Sequence, residues 1–305
     1  MRYGLFLGCN VPAVRPDVER AMRLTMPRLG AELVDLEGSA CCPAFGTFPS
    51  ADEIASLAVS AWNFSIAEER GVELVTECGS CYSSLRIARK KLLEDGEKRD
   101  AVNGLLARAG RSFRGTVVVR HIIDVLYNDI GTDRIAAEIE FPLKGLAATV
   151  QYPCHTLFPS EVVGFDFPSG RPRMLRELVE ALGGSVRAYS RDLQCCGGAG
   201  GFVKGSFASA SEFAFGKIRA MTDETDAGII VVSCITCLEH LDRMQNELRR
   251  KEGGDRRQLA VFDYSQLLAV CMGFDPAEVA SISVIPREGA IARIRGAEGP
   301  APSPA

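Results

Sequence analysis

The stretch Gly228-Ile229-Ile230-Val231-Val232-Ser233-Cys234-Ile235-Thr236-Cys237 decides the fold, because a short apolar strand run ends in a C-x-x-C that opens a helical pattern from Leu238 to about Lys251. The first half of the chain repeats it. Val72-Glu-Leu-Val-Thr76 leads to Cys78-Gly-Ser-Cys81, and a helical pattern follows from Tyr82 to about Glu94. Working outward, each C-x-x-C is preceded by an adjacent pair, Cys41-Cys42 and Cys195-Cys196, and before that by a single Cys9 or Cys154. Each single cysteine follows a predicted strand, Gly4-Leu-Phe-Leu-Gly8 or Ala147-Ala-Thr-Val-Gln-Tyr152. The same order of three cysteine segments therefore occurs twice, at a shift of about 150 residues, which points to duplication of a whole domain rather than to a short solenoid repeat.

Further helices are predicted over 16–29, 52–69, 172–182 and 206–222. Strands alternating with helices give an α/β class with a parallel, Rossmann-like sheet in each half. In such sheets ligands gather outside the carboxyl ends of the strands, so both cysteine sets are expected on that edge, related by a pseudo-twofold axis. The division expected is a first cysteine-rich domain over 1–140, a second over 141–285, and a disordered tail over 286–305, whose end is rich in proline and alanine. Residues 252–257 read as a surface loop, and 165–172 as a loop entering a helix.

With 305 residues, 47% hydrophobic and 24% charged, the composition is that of a globular protein, and a net charge of −4 argues against a nucleic-acid partner. No apolar run approaches the roughly 20 residues of a transmembrane helix, and no secretory signal is evident, so a cytoplasmic location is expected. Eleven cysteines in that setting are not a disulfide framework. A structural zinc site takes four ligands, whereas each half offers five. Two of these are neighbours that reach different metal atoms more easily than one. That favours a polynuclear iron–sulfur centre, with zinc as the alternative metal. Gly197-Gly-Ala-Gly-Gly201 after Cys196 gives a backbone able to approach inorganic sulfide closely. The chain has no ferredoxin-type cysteine run, so its electrons come from another subunit.

The duplicated pattern resembles the cysteine-rich CCG domain found in the B-type subunit of heterodisulfide reductases, over residues 2 to about 274. The resemblance implies two noncubane [4Fe-4S] clusters. Cys9, Cys41, Cys42, Cys78 and Cys81 would hold one, and Cys154, Cys195, Cys196, Cys234 and Cys237 the other. It implies reductive cleavage (or formation) of a small-molecule disulfide between them, with a ferredoxin-like iron–sulfur subunit (C type) and a flavin-containing subunit (A type) as partners. The same domain occurs in lactate, glycolate and glycerol-phosphate oxidizing complexes and in quinone-linked ones. An electron-transfer subunit of that kind is the alternative reading, because fold does not fix substrate.

Beyond the ten cysteines, His155 follows Cys154 and is read either as a proton donor to a departing thiolate or as a hydrogen-bond partner of a cluster sulfur. Arg86, Arg191 and Lys204 are the candidates for binding an anionic substrate; solvated surface is the alternative for each. Cys271 has no counterpart and reads as core. His121 reads as a cap or core residue, with Asp263 as its counterpart in the second repeat, and His240 as surface.

Overall fold

The computed structural model describes residues 1–44, 46–166, 171–199 and 202–296. Gly200 and Gly201 of the glycine run, residues 167–170 of the loop before the helix, and 297–305 of the expected tail lie outside the described residues.

Two four-stranded parallel sheets carry the fold, in the orders β2-β1-β3-β4 and β6-β5-β7-β8. The strands are β1 (Arg2–Leu5), β2 (Glu32–Asp35), β3 (Glu73–Thr76) and β4 (Val119–His121), then β5 (Ala147–Gln151), β6 (Ser185–Val186), β7 (Ile229–Val232) and β8 (Ala260–Asp263). β7, the run Ile229-Ile-Val-Val232, is buried throughout. Helices cover both its faces, as a central parallel strand requires.

Helices used below are α1 (Asn10–Val14), α2 (Pro16–Arg28), α3 (Glu53–Arg70), α4 (Gly79–Glu94), α5 (Met174–Ala181), α6 (Phe207–Asp223), α7 (Ile235–Lys251), α8 (Tyr264–Cys271) and α9 (Glu288–Ile294). Pro16 starts α2, where its missing N–H costs nothing. Asp52 and Ser206 cap α3 and α6 through side-chain oxygens that accept from Ala55 N and Ser209 N. The predicted elements are present, with ends displaced by a residue or two, except that β1 ends at Leu5, three residues before Gly8, and α4 and α7 begin inside the C-x-x-C motifs.

The two halves interlock reciprocally. α8 of the second repeat packs on α2 of the first, and the short helix and π-turn after β4 pack on α5. Likewise α4 packs on the turn Cys154–Thr156, and α7 on α1. This is the pattern a pseudo-twofold relation produces.

The expected tail is corrected at its start. Arg287 is buried and donates to Val261 O and Ala280 O, and α9 follows with Ile294 buried. A buried guanidinium with carbonyl acceptors and an apolar residue one helical face away hold this segment on the second sheet.

Candidate metal centre

Both C-x-x-C motifs sit where a strand passes into a helix. Cys78 and Cys234 are the N-cap residues of α4 and α7, and Cys81 and Cys237 lie in the first turn on the same face. Residues three apart on a helix are neighbours, so one turn presents two sulfurs beside the positive end of the helix dipole. Cys9 likewise stands at the N-cap of α1, and Cys154 opens the 3₁₀ turn Cys154–Thr156. The adjacent pairs lie in the loops that follow β2 and β6. All ten cysteines therefore gather at the carboxyl edges of the two sheets.

Their sulfurs are in mutual contact. Cys42 Sγ lies 3.0 Å from Cys81 Sγ, Cys196 Sγ 3.2 Å from Cys237 Sγ, and Cys154 Sγ 3.6 Å from Cys195 Sγ. All eleven cysteines are free thiols. These contacts split the acidities. Side-chain contacts with Cys41 and then Cys81 hold Cys42 well below the ordinary thiol range, and the contact with Cys42 pushes Cys41 up. Contact with Cys154 and then Cys196 brings Cys195 down to about 2, and Cys195 in turn lifts Cys196 to about 12. Cys237 and Cys78 lower Cys234 in the same way. The two quintets meet beside Gly79, where a Cβ would stand 3.5 Å from Cys234 Sγ.

Two glycines are required for this crowding. Gly8 has φ +64°, and a Cβ on it would stand 2.7 Å from Cys81 Sγ. Gly197 has φ +88°, and a Cβ there would meet Ala210 O at 2.5 Å. Both the left-handed conformation and the close approach exclude a side chain. Gly197 N and Gly198 N donate to Cys195 Sγ at 3.3 Å and Cys196 Sγ at 3.4 Å.

The donor set fits a polynuclear cluster better than a single ion. Thiolates packed together, with helix N-termini and amide donors aimed at them, suit a group that is itself sulfur-rich and anionic. The touching sulfurs must separate to admit metal atoms. Cys9 and Cys41 are exposed and Cys154 and Cys195 half-exposed, whereas Cys42, Cys81, Cys196 and Cys237 are buried.

His155 follows Cys154 in the turn Cys154–Thr156, which packs against α4, the helix that Cys78 and Cys81 open. The basic candidates do not gather with it. Arg86 is half-buried on α4 and donates through Nε to Val162 O at 2.9 Å. With Arg89, Lys90 and Glu161 it lines a cavity of about 200 Å³ between α4 and the turn Ser160–Val163. Arg191 is exposed, donates to Gln194 Oε1 and lies against Gly216 of α6. Lys204 is exposed in the short helix Phe202–Gly205.

Cys271 is fully buried, and burial lifts its thiol to about 12, as suits a core residue. His121 ends β4 and caps the following turn: its Nδ1 accepts from Ile123 N and its Nε2–H donates to Glu77 O at 3.0 Å. Asp263 ends β8 at the equivalent register and accepts from Ser265 N, so carboxylate and imidazole perform the same capping. His240 is not surface. It is buried beneath Gly198, its Nε2 3.4 Å from Ala210 O. Helical spacing from Cys237 would have put it on the cluster-bearing side of α7, a signal the one-turn offset does carry.

The cysteine-rich domain (CCG) family matches residues 3–86 and 148–242, one copy in each half. The chain belongs to that family. As a member of the CCG family it is 42% identical to a protein of Archaeoglobus profundus described as similar to the B-type subunit of heterodisulfide reductase, over 96% of this chain and 98% of that one. It is 35% identical to the B-type subunit of a ferredoxin/F420H2-dependent CoB-CoM heterodisulfide reductase of Methanosarcina acetivorans, over 91% of each. At 28% identity, covering 91% of this chain and 94% of the relative, it also resembles the 8-methylmenaquinol:fumarate reductase membrane anchor subunit of Wolinella succinogenes. These relatives are subunits of reductase complexes. The CCG chain is thus an iron–sulfur protein like the B-type subunit of heterodisulfide reductases, with a redox role and partner subunits. Among its described residues no helix is long and apolar enough to cross a membrane.

Proposed function

We propose that the CCG chain is the catalytic subunit of a cytoplasmic heterodisulfide reductase-like complex, in which a small-molecule disulfide is cleaved to two thiols between two noncubane [4Fe-4S] clusters. The single observation that supports this reading is the abutment of the two cysteine sets: Gly79, between Cys78 and Cys81, lies against Cys234 Sγ and against the turn that carries Cys154 and His155.

Cys9, Cys41, Cys42, Cys78 and Cys81 would hold one cluster, and Cys154, Cys195, Cys196, Cys234 and Cys237 the other. When bound, each cluster supplies one-electron transfer and iron atoms with affinity for sulfur. The protein's own part is to hold, orient and protonate. The dipoles of α4 and α7 and the amides of Gly197 and Gly198 stabilise negative charge on the sulfurs. A ring nitrogen of His155 is the proton donor to a thiolate product. Arg191 stands four residues before Cys195, Arg86 five after Cys81 and Lys204 eight after Cys196, and these cations would bind an anionic substrate. Electrons arrive from a ferredoxin-like subunit and a flavin-containing subunit.

Anaerobic purification tests the reading. Two four-iron clusters predict about eight irons and eight sulfides per chain. Cys42→Ser and Cys196→Ser should each lose about half of that iron and all disulfide-reducing turnover. His155→Ala should keep the iron and lose about 10²-fold in rate, with partial rescue by added imidazole. Iron-free wild-type protein, or full turnover in either serine variant, would overturn the proposal. Iron-loaded protein that passes electrons to a quinone and leaves disulfides intact would favour the electron-transfer role of the Wolinella relative instead.

A further inference from the structure

α3 and α6 are the same helix in the two repeats. Each begins at a side-chain cap, Asp52 or Ser206, and their buried positions coincide: Ser56 with Ala210, Leu57 with Ser211, Ser60 with Ala214, Phe64 with Ile218. Eleven residues after the cap, this register sets Asn63 against Lys217. Both are fully buried. Both also hold the backbone that leads into a cysteine pair. Asn63 Oδ1 accepts from Ala40 N at 2.8 Å, just before Cys41. Lys217 Nζ donates to Arg191 O at 2.6 Å and Asp192 O at 3.2 Å, just before Cys195, and to Tyr189 Oη at 3.2 Å.

The two differ by a full charge. Three neutral oxygens saturate the three N–H bonds of Lys217, and Tyr189 adds its ring face at 5.2 Å. Asp192, the acid nearest in sequence to these acceptors, is ion-paired with Arg171. An ammonium buried without a bonded carboxylate is costly unless other negative charge lies close. Burial does pull Lys217 down, to about 8, and Cys237, Cys196, Asp192 and Cys195 push it back up. The backbone that Lys217 holds is the segment leading into Cys195, so its charge is placed beside the second quintet. At the first quintet the corresponding side chain is a neutral amide whose Nδ2 has no partner among the described residues.

A second difference points the same way. Gly197 N donates to Cys195 Sγ, whereas the residue two after Cys41 is Pro43, which has no N–H to give. Cationic charge and N–H···S bonds both stabilise the electron-rich state of an iron–sulfur centre and raise its potential.

We infer that Lys217 makes the two centres unequal, so that the centre held by the second repeat is reduced at the higher potential and takes up an electron before its counterpart. This rests on the proposed occupancy of both quintets, and extends it to the order of electron entry.

The test is a reductive titration of the iron-loaded chain with dithionite and mediators, followed by electron paramagnetic resonance. Wild-type protein should titrate in two separate waves. Lys217→Asn, which installs the first repeat's residue, should move the upper wave down towards the lower one; Lys217→Arg should leave it in place. Asn63→Lys should move the lower wave up, and it carries the same test should Lys217→Asn fail to fold. An upper wave unmoved by Lys217→Asn, or moved equally by Lys217→Arg, overturns the inference. Protein without iron fails instead the occupancy on which it rests, and iron analysis reads that separately.

Discussion

Gln266 Nε2 donates to Asp17 Oδ2 at 2.6 Å, tying α8 of the second repeat to α2 of the first inside the protein. The same amide works locally as well, since its Oε1 accepts from Asp263 N and completes the capping box of α8. Around Asp17 lie Arg15 and Arg287, at 3.7 and 3.8 Å, and Arg15 also approaches Asp242 at 3.9 Å. All are buried, so each charge depends on the others.

Gln266→Leu removes a donor from a buried carboxylate and a cap from α8. The expected cost is about 1–3 kcal/mol, and Asp17→Ala should cost more, about 3–5 kcal/mol, because Arg15 and Arg287 lose their acid. Anaerobic denaturation midpoints of the two variants check both the sizes and their order; equal midpoints would sink the assignment.

Gly8→Ala should disrupt the first metal centre, since its Cβ meets Cys81 Sγ. Gly110→Ala provides the control, as Gly110 also has a left-handed backbone (φ +69°) but open space around it. Both variants carry a backbone cost of about 1 kcal/mol. Iron per chain should fall in Gly8→Ala and stay unchanged in Gly110→Ala.

Acid should destabilise the protein through His121. Burial holds its pKa at about 4, against an ordinary 6.5. The unfolded chain therefore binds a proton between those values that the folded chain refuses. Stability from this residue is complete above pH 6.5 and is lost as pH falls towards 4, by about 1.4 kcal/mol per unit. His121→Asn keeps a capping oxygen and should flatten that slope in denaturation curves between pH 7 and 5.

Much of the fold and of the metal centre is legible in the sequence, for physical reasons that particular residues illustrate. A buried parallel strand must be apolar at every position, so Ile229–Val232 announces itself, and a C-x-x-C directly after it can lie only at the carboxyl edge. Ten cysteines in a duplicated order carry their own grouping. Lys217 and Asn63 are not legible, because a polar residue on a helix ordinarily faces water and the acceptors of Lys217 are backbone oxygens of a loop. His240 reads as surface when its polar side chain is weighed above its one-turn offset from Cys237, and Gly198 closes over it. Residues 286–296 read as tail because the proline- and alanine-rich end of the chain draws them into it, whereas Arg287 is anchored by carbonyls and not by an acid alone.

The exchange of helices between the halves has a consequence for how the protein is made. α2 leaves the ribosome early, yet its covering helix α8 belongs to the far end of the chain, and Arg15 and Asp17 wait equally long for Asp242 and Arg287. A fragment ending between the two sheets would carry a bare helix flank and mismatched interior charges. Neither half buries its own helices or pairs its own charges alone, so the folded state belongs to the finished polypeptide.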